Sequence, residues 1–170
     1  MAYNTIKLKK YTDIVKEFDA NAAITPGNLV ELLPTNKVRK HATASGDAFP
    51  LFALEDELQG NGIDDNYAAN DKVQVWFATP GEEVYAILSD GETASIGSFL
   101  ESNGDGTLKV YTAESWTSAD AQAANTVYSN RIVAISLENK DLAASSGEDS
   151  ALQSSVSPLG YDKRIRVLVV

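Results

Sequence analysis

Residues 73–88 read Val73-Gln74-Val75-Trp76-Phe77-Ala78, then Thr79-Pro80-Gly81-Glu82, then Glu83-Val84-Tyr85-Ala86-Ile87-Leu88. The outer two pieces are rich in β-branched and aromatic residues, which suit a pleated, half-buried surface. Between them proline presets φ and glycine accepts a left-handed position, so the stretch predicts two strands joined as a hairpin. The same pattern recurs along the chain. Asn28-Leu29-Val30-Glu31-Leu32-Leu33 and Val38-Arg39-Lys40-His41-Ala42-Thr43 flank the turn residues Pro34-Thr35-Asn36-Lys37. Ser98-Phe99-Leu100-Glu101 and Thr107-Leu108-Lys109-Val110-Tyr111 flank Asn103-Gly104-Asp105-Gly106. Further strands are expected at Leu51–Glu55, Arg131–Leu137 and Arg164–Val170. About nine short strands cut by regular turns predict an all-β domain, a sandwich or barrel of short antiparallel strands.

Outside these strands the chain divides into an N-terminal arm, 1–23, and a single body, 24–170, that carries a Ser-rich surface loop at 143–158. In the arm, Ile6-Lys7-Leu8-Lys9-Lys10-Tyr11 alternates apolar and basic residues, the period of a strand with one greasy and one charged face. Thr12 is placed to cap a short helix over Asp13–Phe18, where Ile14, Val15 and Phe18 share a helical face. A second helix is expected at Ser118–Ala124, from its alanines. The Ser-rich stretch has too little apolar surface to offset the entropy of ordering.

Composition narrows the function. The 170 residues include no cysteine, 44% are apolar and the net charge is −10. Disulfides and thiolate metal sites are excluded. No apolar run reaches the roughly 18–20 residues that span a bilayer, and the first residues lack a signal peptide's apolar core, so synthesis in a cytosol is expected. Residues 1–40 hold seven Lys/Arg against four Asp/Glu, whereas residues 41–170 hold seven against twenty. So acidic a body repels phosphate, which argues against nucleic-acid binding.

Candidate chemistry is sparse. His41 is the single histidine, and Ser45 and Asp47 supply the residue types of a nucleophile triad close by. Triad members normally come from separate elements, so a solvent-facing strand histidine is the expectation. Nucleophile-elbow, metalloprotease and phosphate-loop patterns are absent. Glu55-Asp56-Glu57, Asp64-Asp65 and Glu82-Glu83 are adjacent carboxylates that a strand would send to opposite faces, and they are read as solvated surface charge. Glu101-Ser102-Asn103-Gly104-Asp105-Gly106 mimics the first half of a calcium loop, but its twelfth position is Thr112 where a bidentate Glu belongs. A hairpin turn is the better reading. Gly60-Asn61-Gly62 matches only the start of a dinucleotide fingerprint. No cofactor or metal is expected. Trp76 is expected in the core; Trp116, Tyr111 and the acidic loops would form a sugar platform if the domain binds carbohydrate.

Taken in order, several pieces of the body resemble the small β-rich decoration, or cement, proteins that bind the outside of tailed-phage capsids. They are Ile24-x-Pro26-Gly27-x-Leu29-Val30-x-Leu32, Phe52-Ala53-Leu54-Glu55, Gly60-x-Gly62-Ile63-Asp64-x-x-Tyr67, Asp71-x-Val73, Glu83-Val84-x-Ala86-x-Leu88, Gly97-x-x-Leu100, Asp105-Gly106-x-Leu108, Ala134-Ile135-x-Leu137-Glu138 and Arg164-Ile165-Arg166-Val167. The resemblance implies a small β-barrel or tulip-like, non-catalytic domain, made in a bacterial host, that sits on the outer surface of the virion and clamps neighbouring major capsid subunits. It also implies a homo-oligomer, with a trimer favoured and a dimer possible, and no small-molecule substrate or membrane. Pro26, Gly27, Gly60, Gly62, Ile63, Asp64, Tyr67, Gly97, Asp105 and Gly106 are then structural. Binding is expected in the arm, through strand addition by Ile6 to Tyr11 and contact of Lys7, Lys9 and Lys10 with acidic surface. The competing reading is a carbohydrate-binding or adhesive β-domain.

Overall fold

The computed structural model describes residues 4–10, 14–113, 129–143 and 163–170, whose regular structure is almost wholly strand. These are β1 (Lys7–Lys9), β2 (Val15–Ala20), β3 (Val30–Leu32), β4 (Lys37–Lys40), β5 (Leu51–Ala53), β6 (Lys72–Phe77), β7 (Glu83–Ile87), β8 (Thr93–Ala94), β9 (Phe99–Ser102), β10 (Leu108–Val110), β11 (Ile132–Ser136), β12 (Lys140–Asp141) and β13 (Arg164–Val169). The expected all-β class is what forms. The expected helix at Ser118–Ala124, most of the Ser-rich stretch, Tyr11 and Trp116 lie outside the described residues.

Two sheets carry the body. One has the order β1-β7-β13-β11-β9-β10, and the other β3-β4-β2-β6-β5; β8 and β12 form a small separate ladder. Every pairing is antiparallel except β2 with β4. Neither sheet closes into a barrel. Each bends round until it touches itself through one isolated bridge, Leu29 with Phe52 in the five-stranded sheet and Leu88 with Leu108 in the six-stranded one.

The stretch 73–88 forms its two strands and its turn, but not a hairpin. Gly81 takes φ +94°, Glu82 N–H donates to Thr79 O at 3.1 Å, and Thr79 N–H donates to Glu82 Oε2 at 2.6 Å. The turn passes the chain from one sheet to the other, because β6 already has β2 and β5 on its two edges while β7 has β1 and β13. The other two expected hairpins form as read, β3 with β4 and β9 with β10. Residues 15–18 of the expected helix are instead part of strand β2, paired with β6, while Asp19 and Ala20 at its end also pair with β4; Thr12 and Asp13 lie outside the described residues. One or two turns of isolated helix satisfy few hydrogen bonds, whereas the ladder with β6 runs the length of 15–19.

Alternation along β5 and β6 divides the core. Phe52 and Trp76, cross-strand partners, turn towards the six-stranded sheet and join Val84, Ala86, Leu100, Ala134, Ile165 and Val167. Leu51, Ala53, Val73 and Val75 turn the other way and pack with Ala20, Ile24, Val30 and Val38. Period 2 on strands covered on both faces therefore yields two cores from one sheet.

The two sheets are tied by a buried arginine. Arg164, 0% exposed at the start of β13, donates from Nη1 to Asp64 Oδ1 at 2.8 Å and from Nη2 to Pro26 O at 3.0 Å and to Ile63 O. A planar fork of donors suits three acceptors converging from two loops. Gly27 makes the approach possible: at φ +94°, a Cβ there would meet Tyr85 O at 3.1 Å and Arg164 Nε at 3.4 Å. Arg164→Met strands two carbonyl oxygens that water reaches poorly, and we expect it to cost about 3–5 kcal/mol in urea unfolding at unchanged slope. Asp64→Asn, at an exposed position, is expected to cost only about 1 kcal/mol.

Candidate functional site

The residues that carry the resemblance gather along the joint between the sheets. Pro26 and Ile63 offer their carbonyls, and Asp64 its carboxylate, to Arg164. Gly27 N–H donates to Ala53 O at 2.8 Å while its own carbonyl accepts from Ile87 N–H at 3.2 Å, bridging the sheets through backbone alone. Gly60 closes a single 3-10 turn at φ +83°, and Gly62 N–H donates to Asp65 Oδ2 at 2.7 Å, so this loop bends to present Ile63 and Asp64. Tyr67 exchanges backbone hydrogen bonds with Ile24 and donates its hydroxyl to Leu54 O at 2.7 Å. Asp105 Oδ1 accepts from Thr107 N–H at 2.9 Å, which shapes the β9–β10 turn. Gly106 O then accepts from Leu29 N–H at 2.8 Å and Asn28 Nδ2 at 3.3 Å. Gly97, at φ +86° ahead of β9, lies apart from this joint and bonds to Ser136 O.

His41 is buried, not solvent-facing, at 2% exposure. It sits just past β4, where the β9–β10 turn and the loop carrying Asp47 close over it. Nε2 donates to the Asp47 carbonyl at 3.0 Å, and Nδ1 lies 2.8 Å from Ser102 Oγ. Ser45 turns elsewhere, donating Oγ–H to Glu101 Oε1 at 2.8 Å. The sequence trio His41, Ser45 and Asp47 therefore does not assemble as a triad. The imidazole instead joins three segments.

Of the adjacent carboxylates, Glu57, Asp64 and Asp65 are exposed as expected and Glu83 is half-buried, but the other three are not surface charge. Glu55, Asp56 and Glu82 are buried. Glu55 accepts from Ile6 N–H on both oxygens at 3.2 Å and from Thr5 Oγ1, and Asp56 Oδ1 accepts from Gln74 Nε2 at 3.3 Å. Local sequence hid this, because the donors stand some 50 and 18 positions away. Glu101, first in the calcium-like run, is held by Arg131 Nη2 at 2.8 Å and Lys109 Nζ at 3.7 Å. Among the described residues no group of three or more His, Asp or Glu is arranged to hold a metal ion.

The arm is built into the fold. Ile6 is completely buried in the larger core, Leu8 packs against it, and β1 forms an edge of the six-stranded sheet by pairing with β7. Lys9 Nζ stands 4.0 Å from Glu83 Oε1, Lys7 is half-buried and Lys10 exposed. The strand expected to add to a neighbour thus adds first to its own chain. Tyr111, half-buried, has the Arg131 guanidinium 5.2 Å from its ring centre.

One concavity was not read from the sequence. A groove of about 370 Å³ opens where β3 and β5 diverge, lined among the described residues by Val30, Leu32, Phe49, Leu51 and Phe77 with Glu31, His41 and Asp47 at its polar side. Phe49 is 66% and Leu32 46% exposed. Both are strand or near-strand apolar residues, indistinguishable by type from those that became core.

Models of known protein families include none that matches this chain, and no curated protein matches it.

Tyr67 offers a solution readout of the joint. Burial, with the carboxylates of Asp56 and Glu55 nearby, outweighs a backbone hydrogen bond from Gln74 and pushes its phenol from 10.0 up to about 12. The unfolded chain therefore loses this proton first. Stability contributed by the neutral phenol is complete below pH ~10 and falls as pH rises towards ~12. We expect Tyr67→Phe to cost about 1 kcal/mol at neutral pH and to flatten the alkaline loss, as measured by unfolding between pH 8 and ~12.

Proposed function

We propose that this chain is a non-catalytic structural protein of a tailed-phage virion, which binds the outer capsid surface and cements neighbouring major capsid subunits. The observation that carries the reading is the convergence at Arg164. Pieces of sequence that resemble decoration proteins, separated by up to 138 positions, meet through one guanidinium on Pro26, Ile63 and Asp64. A rigid joint of this kind suits a protein whose work is to resist deformation. The side chains that looked reactive in the sequence support the same reading, since His41, Ser45, Glu55 and Glu101 each hold segments together.

Cementing needs no reaction. A protein that binds the assembled, expanded lattice better than separated subunits shifts the equilibrium towards the intact shell. If copies associate, as a trimer above all, weak contacts to adjacent subunits combine through effective concentrations that reach about the millimolar range. With Ile6 fixed in the core and β1 on the sheet edge, the arm would act through the outward side of β1 and the exposed Lys10 while it stays folded. Protein made in the host cytoplasm would then join heads after expansion.

The test adds the purified chain to expanded, undecorated heads of the same virus and to their unassembled subunits. Saturable occupancy on heads, weak binding to subunits and a raised shell melting temperature are expected. Equal affinity for subunits and shells, or no binding to either, would overturn the proposal.

A further inference from the structure

The five-stranded sheet fails to close along one seam. β3 and β5 are its two edges, and they meet through the bridge of Leu29 with Phe52 and the bond from Ala53 N–H to Asn28 O at 3.0 Å. Beyond that point they part, and the groove occupies the gap. The register of β3 with β4 fixes which backbone groups face it. His41 N–H donates to Leu29 O and Leu33 N–H to Lys37 O, so odd-numbered residues of β3 point their amides at β4 and Leu32 points its N–H and C=O away. Leu32 thus presents an open strand edge directly beside an apolar trough.

The floor of the trough is the end of the smaller core, where Val30, Leu51 and Phe77 continue the face formed by Val73 and Val75. Its charged lining residues among those described are both carboxylates, Glu31 and Asp47. Glu31 Oε1 is held by Arg39 Nε at 2.7 Å, and its other oxygen lies 3.9 Å from His41 Nε2. Asp47 is exposed, with Oδ1 accepting from Asn130 N–H at 2.6 Å. The chain as a whole carries −10.

We infer that this seam is a peptide-docking site: an extended segment of a partner protein, alternating apolar and basic residues, adds as a strand to β3 at Leu32 and seats an apolar side chain between Leu32, Phe49, Leu51 and Phe77. Backbone pairing supplies affinity, the trough selects an apolar anchor, and the carboxylates select cationic neighbours on the strand's outward face. The added strand would extend the ladder along the gap and cover Phe49 and Leu32. This site is distinct from the arm and receives a strand where the arm would offer one.

The test uses the full-length chain, isotope-labelled for amide NMR, with two short blocked peptides. One alternates lysine with apolar residues about a central phenylalanine, and the other has glutamate in place of each lysine. The lysine peptide is expected to move the amides of Leu32, Phe49 and Leu51 and to bind about tenfold more tightly than the glutamate peptide, with the difference shrinking as salt is raised. Leu32→Ser and Phe49→Ser, at exposed positions, are each expected to weaken binding about tenfold while the amide spectrum stays dispersed. Absence of binding, a preference for glutamate, or shifts confined to other residues would overturn the site. So would self-association of the peptide-free chain that Leu32→Ser abolishes, since the occupant would then be a second copy. Shell binding that both substitutions leave unchanged, with no peptide bound, would reject this site and leave the cementing proposal standing.

Discussion

A charged group taken out of water has to be met by acceptors, and the guanidinium of Arg164, bonded at both terminal nitrogens though not at Nε, imposes that demand on this fold. Its acceptors come from the turn at Pro26 and the loop at Ile63–Asp64, while its own strand lies in the other sheet. Desolvation is costly enough that losing these acceptors would leave a buried charge uncompensated. The positive φ of Gly27, the bend at Gly60 and Gly62 and the anchoring of Tyr67 to Ile24 all act to deliver those acceptors. The hydrophobic division into two cores sets where the sheets lie; the arginine sets how they are held against each other.

Much of the strand content was readable because alternation and turn chemistry are local properties. β3 with β4 and β9 with β10 formed where Pro34–Lys37 and Asn103–Gly106 predicted. What failed was partner choice. The sequence 73–88 has every mark of a hairpin, and its turn forms, yet both strands find better edges elsewhere. The stretch 13–18 shows how weak a helical pattern of one or two turns is against the available ladder with β6. Neither outcome can be read without knowing the rest of the sheet.

The candidate site was legible in a different measure. The residues singled out by resemblance do cluster, but their centre, Arg164, was read as part of a resembling strand and not as a buried charge. Nothing local separates it from Arg166, two positions on in the same apolar run. Glu57, Asp64 and Asp65 are exposed as read, but His41, Glu55, Asp56 and Glu82 were misjudged because burial of a polar group depends on distant partners: Ser102 for His41, and Ile6 and Thr5 for Glu55. The groove left no trace in the sequence, since Leu32 and Phe49 look like core residues that happen to lack a cover.

β13 lies between β7 and β11 in the six-stranded sheet, and Arg164 at its head reaches back 138 positions to Pro26. During synthesis, residues 24–142 can emerge with their hairpins formed while the central slot of that sheet is still empty. Until residues 164–169 leave the ribosome, β7 and β11 expose unpaired edges and the inner apolar face has no middle strand. The nascent chain is thus at greatest risk of sticking to its neighbours in the interval before residues 164–169 emerge, and its folding is governed by long-range closure, which is slow. The high negative charge of the body is well placed to keep such half-built copies apart.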